Sequence, residues 1–463
     1  TQISASKVAP DGTLLWGTTG VQLTSTMAFV AAPVIAATSD GGAVVGWTEG
    51  SKMLLRRLDA AGAFVGPEVE FLPPVGSYSA SDMHAVGNDV IVSFVHQLGS
   101  FSSPRHLLAQ KVDSVGTKLW GATHVSVFDG GSLQIGNFPD FETDGSGGAV
   151  FSWYSTSSFQ LQCYVQRVLS GGAEAFPHNG VAVSTNASRV RTTPRASYDP
   201  STGETFAYWI EHNSGQSQDG VYGQKFNAAG VRQWTNEGTV VLPVGTDDIT
   251  SAPHVISGNQ TMVVWDAASS FGNSRIFGRL VDGNGAMASA VFDVSLTPAS
   301  KSRLALTRTA AGFGALAWAD DRNDGGDIYA QNINTDATLG PRWTELLGGT
   351  AGIAGVPALS GSGPLAVGSE LGLTLSSAPP GAFALLLLSF ASTPLPFFGG
   401  TIHALPIALE LPIVTNGSGG FAISAAFPAG SPPGTELVFQ YLCKDSSNPY
   451  GKTISNAQKG TTP

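Results

Sequence analysis

Four aspartates fall within one short stretch, Asp320, Asp321, Asp324 and Asp327. Several carboxylate oxygens converging from one loop are what a hard divalent cation such as calcium selects. The same residues also serve to cap turns and to pair with the neighbouring Arg322, and both readings stand on the sequence. A sparser acidic run, Asp140, Glu142 and Asp144, carries the same two readings, whereas Asp247-Asp248 reads as a solvated loop. The eight histidines, at 84, 96, 106, 124, 178, 212, 254 and 403, form no HExxH pair, so a zinc protease is disfavoured. No G-x-S-x-G elbow or phosphate-binding glycine loop is present. A pair of carboxylates acting on a glycosidic bond leaves no local motif, so that chemistry stays open. Arg195, Arg232, Arg279 and Arg322 are candidate partners for an acidic or sugar ligand, with nothing in their spacing to bring them together.

The background against which these residues stand is apolar and weakly charged. Of 463 residues 12% are charged and 42% hydrophobic, with 58 glycines and 27 prolines. Such a chain buries a core and is not intrinsically disordered. The net charge of −11 argues against nucleic acid as a partner, since no basic stripe exists to release counterions. The longest apolar stretch, 382–398, is broken by Ser389, Pro394 and Pro396 and falls short of the ~20 residues of a membrane helix, so no membrane span is expected. Two cysteines, Cys163 and Cys443, exclude a disulfide-dense scaffold. One long-range bridge and two buried thiols are both compatible with the spacing. The opening Thr1-Gln2-Ile3 lacks both a methionine and a leader-like segment, and with the Ser/Thr/Gly-rich surface suggests a mature secreted or cell-surface chain.

Repeats organise the first three-quarters of the chain. A glycine-rich turn followed by a short apolar strand ending in an aromatic residue occurs six times, ending at Trp47, Phe94, Trp153, Trp209, Trp265 and Trp318. A second phrase follows each copy: a strand, an Asp/Asn-x-x-Gly turn and another strand. Asp59…Gly62, Asp113…Gly116, Asn227…Gly230 and Asp282…Gly285 are examples, and the copy at Asn334 carries Ala337 in place of glycine. Asp or Asn bonds its own backbone two residues on, and glycine supplies the positive φ. Units of 50–60 residues with about four strands and no helical periodicity predict an all-β fold, a six-bladed β-propeller. The recurring tryptophans are then core between blades, not an exposed stacking platform. The second phrase occurs once more than the first, at Ile3–Trp16, so these strands are expected to close the ring or to pair with a neighbouring subunit.

The sixth copy, Trp318-Ala-Asp-Asp-Arg322-Asn-Asp-Gly-Gly-Asp327-Ile-Tyr-Ala-Gln331, resembles the W-x-D-x-R-x-G-x-x-D-I-Y-A-Q signature of secreted bacterial propeller repeats. It has one extra residue between tryptophan and arginine. The resemblance covers about residues 1–345 and implies an extracellular propeller without a single shared activity. After Trp343 the repeat stops. Residues 346–357 read as a linker, and 358–463 hold short apolar strands separated by turns such as Pro379-Pro-Gly and Pro432-Pro-Gly, which predict a small C-terminal β-sandwich. The stretch from Ser377 and the ending Ser455–Pro463 are similar to a C-terminal module of secreted planctomycete-type proteins. From Gly355 onward only seven residues are charged, a composition that fits either a Ser/Thr/Gly surface or a face covered by a partner.

With no catalytic motif, the sequence leads first to a non-enzymatic extracellular structural or adhesive protein. In that reading the propeller is a display body and the C-terminal module an attachment device, with self-assembly into a homo-oligomer or polymer through the N-terminal strands and the C-terminal domain. The alternative is a carbohydrate-binding or glycan-processing propeller protein with a glycan as partner. Calcium at Asp320, Asp321, Asp324 and Asp327 is the one cofactor suggested.

Overall fold

The computed structural model describes the chain except residues 1, 10, 158, 159, 271, 310–313, 324, 341, 364, 366, 433 and 463, and the side chains of 157 and 160. Asp324 and Pro433, part of motifs quoted above, and Gly312 and Phe313, from the glycine-rich turn and strand that lead to Trp318, therefore lie outside the described residues. The described elements are all strands. Two compact units are present, Thr1–Ala305 with Trp318–Ile328, and Leu306–Ala317 with Tyr329–Pro463.

The first unit holds five successive antiparallel sheets, one per repeat. Val30–Ala37, Ala43–Glu49, Lys52–Leu58 and Phe64–Phe71 form the first, each strand pairing with the next in sequence. The second runs from Ser77–Val86 to Val125–Phe128, and the fourth and fifth begin at Val190–Asp199 and His254–Ser257. In the third, Phe141–Thr143 and Ser132–Leu133 both pair with Ala149–Ser157. The strands of the sixth repeat, Lys301–Arg308, Gly314–Asp320 and Asp327–Ile333, are divided between the two units.

The second phrase of the repeat makes its turns as its residue types dictate. The Asp59 carboxylate accepts the N–H groups of Ala61 and Ala63, each at 2.9 Å, and Asp113, Asn227 and Asp282 do the same in their copies. Gly62, Gly116, Gly230 and Gly285 close these turns at φ between +79° and +94°. Ala337 takes the same left-handed conformation, at φ +69°. Glycine is needed here for space as well. A Cβ on Gly62 would stand 2.9 Å from the Trp16 ring, one on Gly172 2.9 Å from Trp120, and one on Gly285 3.0 Å from Trp234. The Trp16 and Trp120 indoles also donate to Ala60 O and Ser170 O, at 3.1 and 2.9 Å. An aromatic from one repeat thus lies on the turn glycine of the next.

The tryptophans that end the second strands are buried, Trp47, Trp153, Trp209, Trp265 and Trp318 alike. Among the described residues, the N-terminal strands, Ser4–Ala5 and Val21–Gln22, form a sheet with each other. Ile3, Ala5 and Trp16 join the core of the first sheet with Val45, Trp47, Leu54 and Leu58. The extra element thus packs on its own chain's first sheet.

In the second unit, Trp343–Leu347, Ala457–Thr461, Glu436–Lys444, Phe383–Ser389 and Leu409–Val414 follow one another across one sheet. Ala358–Ser362, Glu370–Ser376 and Phe421–Ala426 make a second. Both feed one core that includes Leu359, Leu375, Leu386, Phe439 and Tyr441. The linker read at 346–357 begins inside a strand, because Leu347 pairs with Ala457. Trp343 belongs to this unit's packing, its indole donating to Gly363 O at 2.9 Å. Cys163 and Cys443 are both free and buried, so the long-range bridge is absent. Burial pushes the Cys443 thiol up to about 12 and Cys163 well above its ordinary value, which leaves both inert.

Candidate functional site

The first strands of the second, third and fourth sheets come together around a depression of about 350 Å³ lined by Asp82, His84, Asp140, Phe141, Glu142, Ser152, Arg195 and Ala196. Three of these occupy one position of the repeat. Asp82 pairs with Ser93 and Arg195 with Tyr208, the residues just before Phe94 and Trp209. Asp140 precedes Phe141, which pairs with Phe151, and so stands level with Ser152, just before Trp153. In the first sheet the same register holds Val34, opposite Gly46. The ladder slips at Ala80/Asp82 and at Thr192/Arg195, and Thr193 takes φ +49° there. Bulges of this kind re-aim the side chains beside them. Two serine bonds tie the strands together: Ser81 Oγ donates to Pro139 O at 2.9 Å and Ser152 Oγ to Pro194 O at 3.1 Å.

The Asp82 carboxylate is held from three sides. It accepts from the Met83 N–H at 2.8 Å and the Phe141 N–H at 3.0 Å, and pairs with His84 Nε2 at 3.1 Å. That bond to Asp82, against the opposing effect of burial, raises the His84 pKa, and the ring is further seated edge-on to Phe141 at 4.9 Å. Arg195 pairs with Asp140. Burial lowers the Arg195 pKa and the Asp82 charge opposes that shift. Glu142 is exposed at its strand position, while the protein packed about its carboxyl partly desolvates it. This withdrawal from bulk water, helped by the Asp82 charge and opposed by His84, pushes its carboxyl up to about 7. Behind Arg195, Ser197 Oγ bonds His254 Nε2 at 2.7 Å, and burial together with Arg195 drives the His254 pKa down to about 3. The site thus joins a carboxyl that exchanges its proton near neutrality to a second carboxylate, an imidazole and a guanidinium. Such a set can donate a proton to a leaving oxygen while stabilising positive charge nearby.

Of the aspartates singled out as a calcium candidate, Asp320 and Asp321 have partners within the protein. Asp320 is buried and pairs with both Arg322 and Lys301 and accepts the Trp318 indole N–H at 3.0 Å. Burial opposes its ionisation, but the bonds from Arg322 and Trp318 prevail and hold its carboxyl below the usual range. Asp321 accepts the Ser300 N–H at 2.7 Å, Asp327 begins a strand, and Asp324 lies outside the described residues. Among the described residues no group of three or more His, Cys, Asp or Glu side chains is placed to hold a metal. Of the second acidic run, Asp140 and Glu142 reach the depression, whereas Asp144 is buried against Arg167 at 2.8 Å. Of the four arginines, Arg195 joins the site. Arg232 and Arg279 bond main-chain carbonyls, and Arg322 pairs with Asp320. Asp82 and His84 were not singled out in the sequence. The signal that would have found Asp82 is a charged residue in successive repeats, 12 to 14 residues before the strand-ending aromatic (82 to 94, 140 to 153, 195 to 209).

No family model matches the chain and no curated protein does. Solved structures similar to it include an endo-arabinase from Bacteroides thetaiotaomicron (9% identity, 52% of this chain and 88% of that one, TM-score 0.32). Others are the Bombyx mori GH32 β-fructofuranosidase BmSUC1 (10%, 80% and 86%, 0.33) and the polysaccharide lyase Uly1 (9%, 91% and 88%, 0.37). The expectation of a non-enzymatic protein is corrected at this point. The chain brings an acid of raised pKa, a second carboxylate, a histidine and an arginine into one depression where the sequence displayed no motif.

Proposed function

We propose that the first unit is a glycan-processing site on a six-bladed β-propeller, followed by a C-terminal sandwich module, in a protein that works outside the cell. The observation that carries the reading is the contrast inside one depression: Glu142, with a pKa near 7, beside the hydrogen-bonded Asp82 carboxylate. A carboxyl of raised pKa beside a second carboxylate is what acid-assisted cleavage of a glycosidic bond calls for. Glu142 is the proton donor, Asp82 the anionic group facing the sugar, and Arg195 and His84 the donors to its hydroxyl or carboxylate groups.

The test is turnover of a panel of neutral and acidic polysaccharides by purified protein, followed by reducing ends and by unsaturated products. Glu142→Gln should lower kcat by about 10²–10⁴, the range for loss of a general acid, with KM nearly unchanged. Asp82→Asn should reduce kcat comparably. Turnover that survives both substitutions, or its absence across the panel, would overturn the reading.

A further inference from the structure

We propose that the second unit carries a separate sugar-binding platform, formed by Phe398 with Phe397, Tyr450 and Lys452, that docks a neutral pyranose ring. It lies in the other unit from the carboxylate depression and does not depend on the reading given for that site. Ser392–Phe397 and Gly400–Ala404 form a hairpin in which Phe397 pairs with Gly400. Phe398 and Gly399 are therefore its two-residue turn, at φ +48° and +81°. Positive φ at both central positions is the type I′ turn, which selects Asn-Gly, Asp-Gly or Gly-Gly. A bulky ring at the first position is an outlier of the kind that accompanies function.

Folding does not explain the choice. Phe398 lies 4.3 Å from Phe397 and 5.7 Å from Tyr450, centroid to centroid, with Lys452 Nζ 5.3 Å from its ring. Yet the cluster is open on one side: Phe397 packs against a buried core and Phe398 is half-buried, but Tyr450 is 57% exposed and Lys452 is exposed. The turn accepts an unfavourable residue and sets its half-buried ring beside the exposed Tyr450.

The surroundings select the occupant. Lys452 is the one charge in the cluster, within a stretch from Gly355 onward that holds only seven charged residues, so a nucleic acid, an anionic lipid surface or a strongly charged peptide has little to answer it. Three partly covered rings fall short of the ~800 Å² per partner that a stable protein interface takes. A pyranose fits: its apolar C–H face meets an aromatic ring, and its hydroxyls meet the Tyr450 hydroxyl and the Lys452 ammonium.

The experiment is co-sedimentation of the full chain with microcrystalline cellulose, chitin and insoluble xylan. Wild-type protein should be retained by at least one of them. Phe398→Asn restores the preferred Asn-Gly turn, so its Tm should not fall, while retention weakens by about tenfold, the equivalent of one lost stacking contact. Tyr450→Ala, at an exposed position, should do the same. Glu142→Gln should be retained like wild type, which separates failure of the platform from failure of the carboxylate site. Absence of wild-type retention on all three, retention unchanged in Phe398→Asn and Tyr450→Ala, or a Tm lowered by Phe398→Asn would overturn the proposal.

Discussion

Glu142 stands in the same depression as Asp82, and pH reports how its surroundings treat it. Because withdrawal from water raises the folded pKa of Glu142 from its ordinary value near 4.5 to about 7, the folded protein binds a proton there that the unfolded chain releases. Its contribution to stability is present below about 4.5 and lost as pH rises through about 7. His84, raised by Asp82, has the same sign: stability present below its ordinary value and lost as pH rises through the elevated one. Denaturant titrations between pH 5 and 8 should show stability falling with pH, and Glu142→Gln should flatten the slope. A slope unchanged in that variant would mean that Glu142 is not withdrawn from water. A second set of buried charges does structural work. Arg191 pairs with Glu211 at 2.9 Å, both almost fully buried, and Glu211 also accepts the Trp209 indole N–H at 2.7 Å. Lys301, Asp320 and Trp318 repeat the arrangement in the sixth copy. Arg191→Ala should destabilise by about 3–5 kcal/mol, as when one partner of a buried pair is removed, measured by urea unfolding. The sequence displayed Asp140, Glu142 and Arg195 without joining them, since what joins Asp140 and Arg195 is an equivalent register in two different sheets, with Glu142 two residues on from Asp140. Asp82 carried no acidic neighbour to mark it.

At the scale of elements, the turn and the aromatic that rests on it are the unit of construction, and this part of the fold was legible. Asx turns and the glycines that close them follow from residue chemistry alone, so the five sheets begin and end where the repeated phrases put them. The pairing of Leu347 with Ala457 was not legible, because 110 residues separate the partners in sequence and nothing local distinguishes a glycine-rich linker from the start of a distant strand's partner. Ala337 gives a direct measure of the turn. It holds φ +69° where the other copies place glycine, and an L-residue in that conformation costs about 1–2 kcal/mol. Ala337→Gly should therefore stabilise the protein, by about 1 kcal/mol once the extra freedom of glycine in the unfolded chain is subtracted. Gly62→Ala should do the opposite, since its methyl group would enter the Trp16 ring as well as the wrong φ region. If both substitutions proved neutral in thermal unfolding, the turns would not be under the constraint described.

At the scale of the whole molecule, the count of second phrases exceeded that of first phrases by one, and the surplus lies at the N-terminus. Such an element can be satisfied by its own chain or by a neighbour, and the two arrangements respond differently to deletion. Here Ile3, Ala5 and Trp16 are buried in the core of the first sheet, the Trp16 indole donates to Ala60 O, and Lys7 Nζ donates to Gly41 O at 2.7 Å. Removing residues 1–24 uncovers Trp47, Val45, Leu54 and Leu58 along that side and empties the place of the Trp16 ring over Gly62. Loss of a buried tryptophan alone costs about 3–5 kcal/mol, so the truncated chain should melt well below the full-length protein. Because the contacts lie within one chain, the difference in Tm should be the same at low and high protein concentration, whereas strands shared between subunits would make it grow with concentration by mass action. Trp16→Ala should reproduce most of the loss without shortening the chain. A truncated protein with unchanged melting, or a Tm difference that scales with concentration, would place the N-terminal strands on a neighbour instead of on the first sheet.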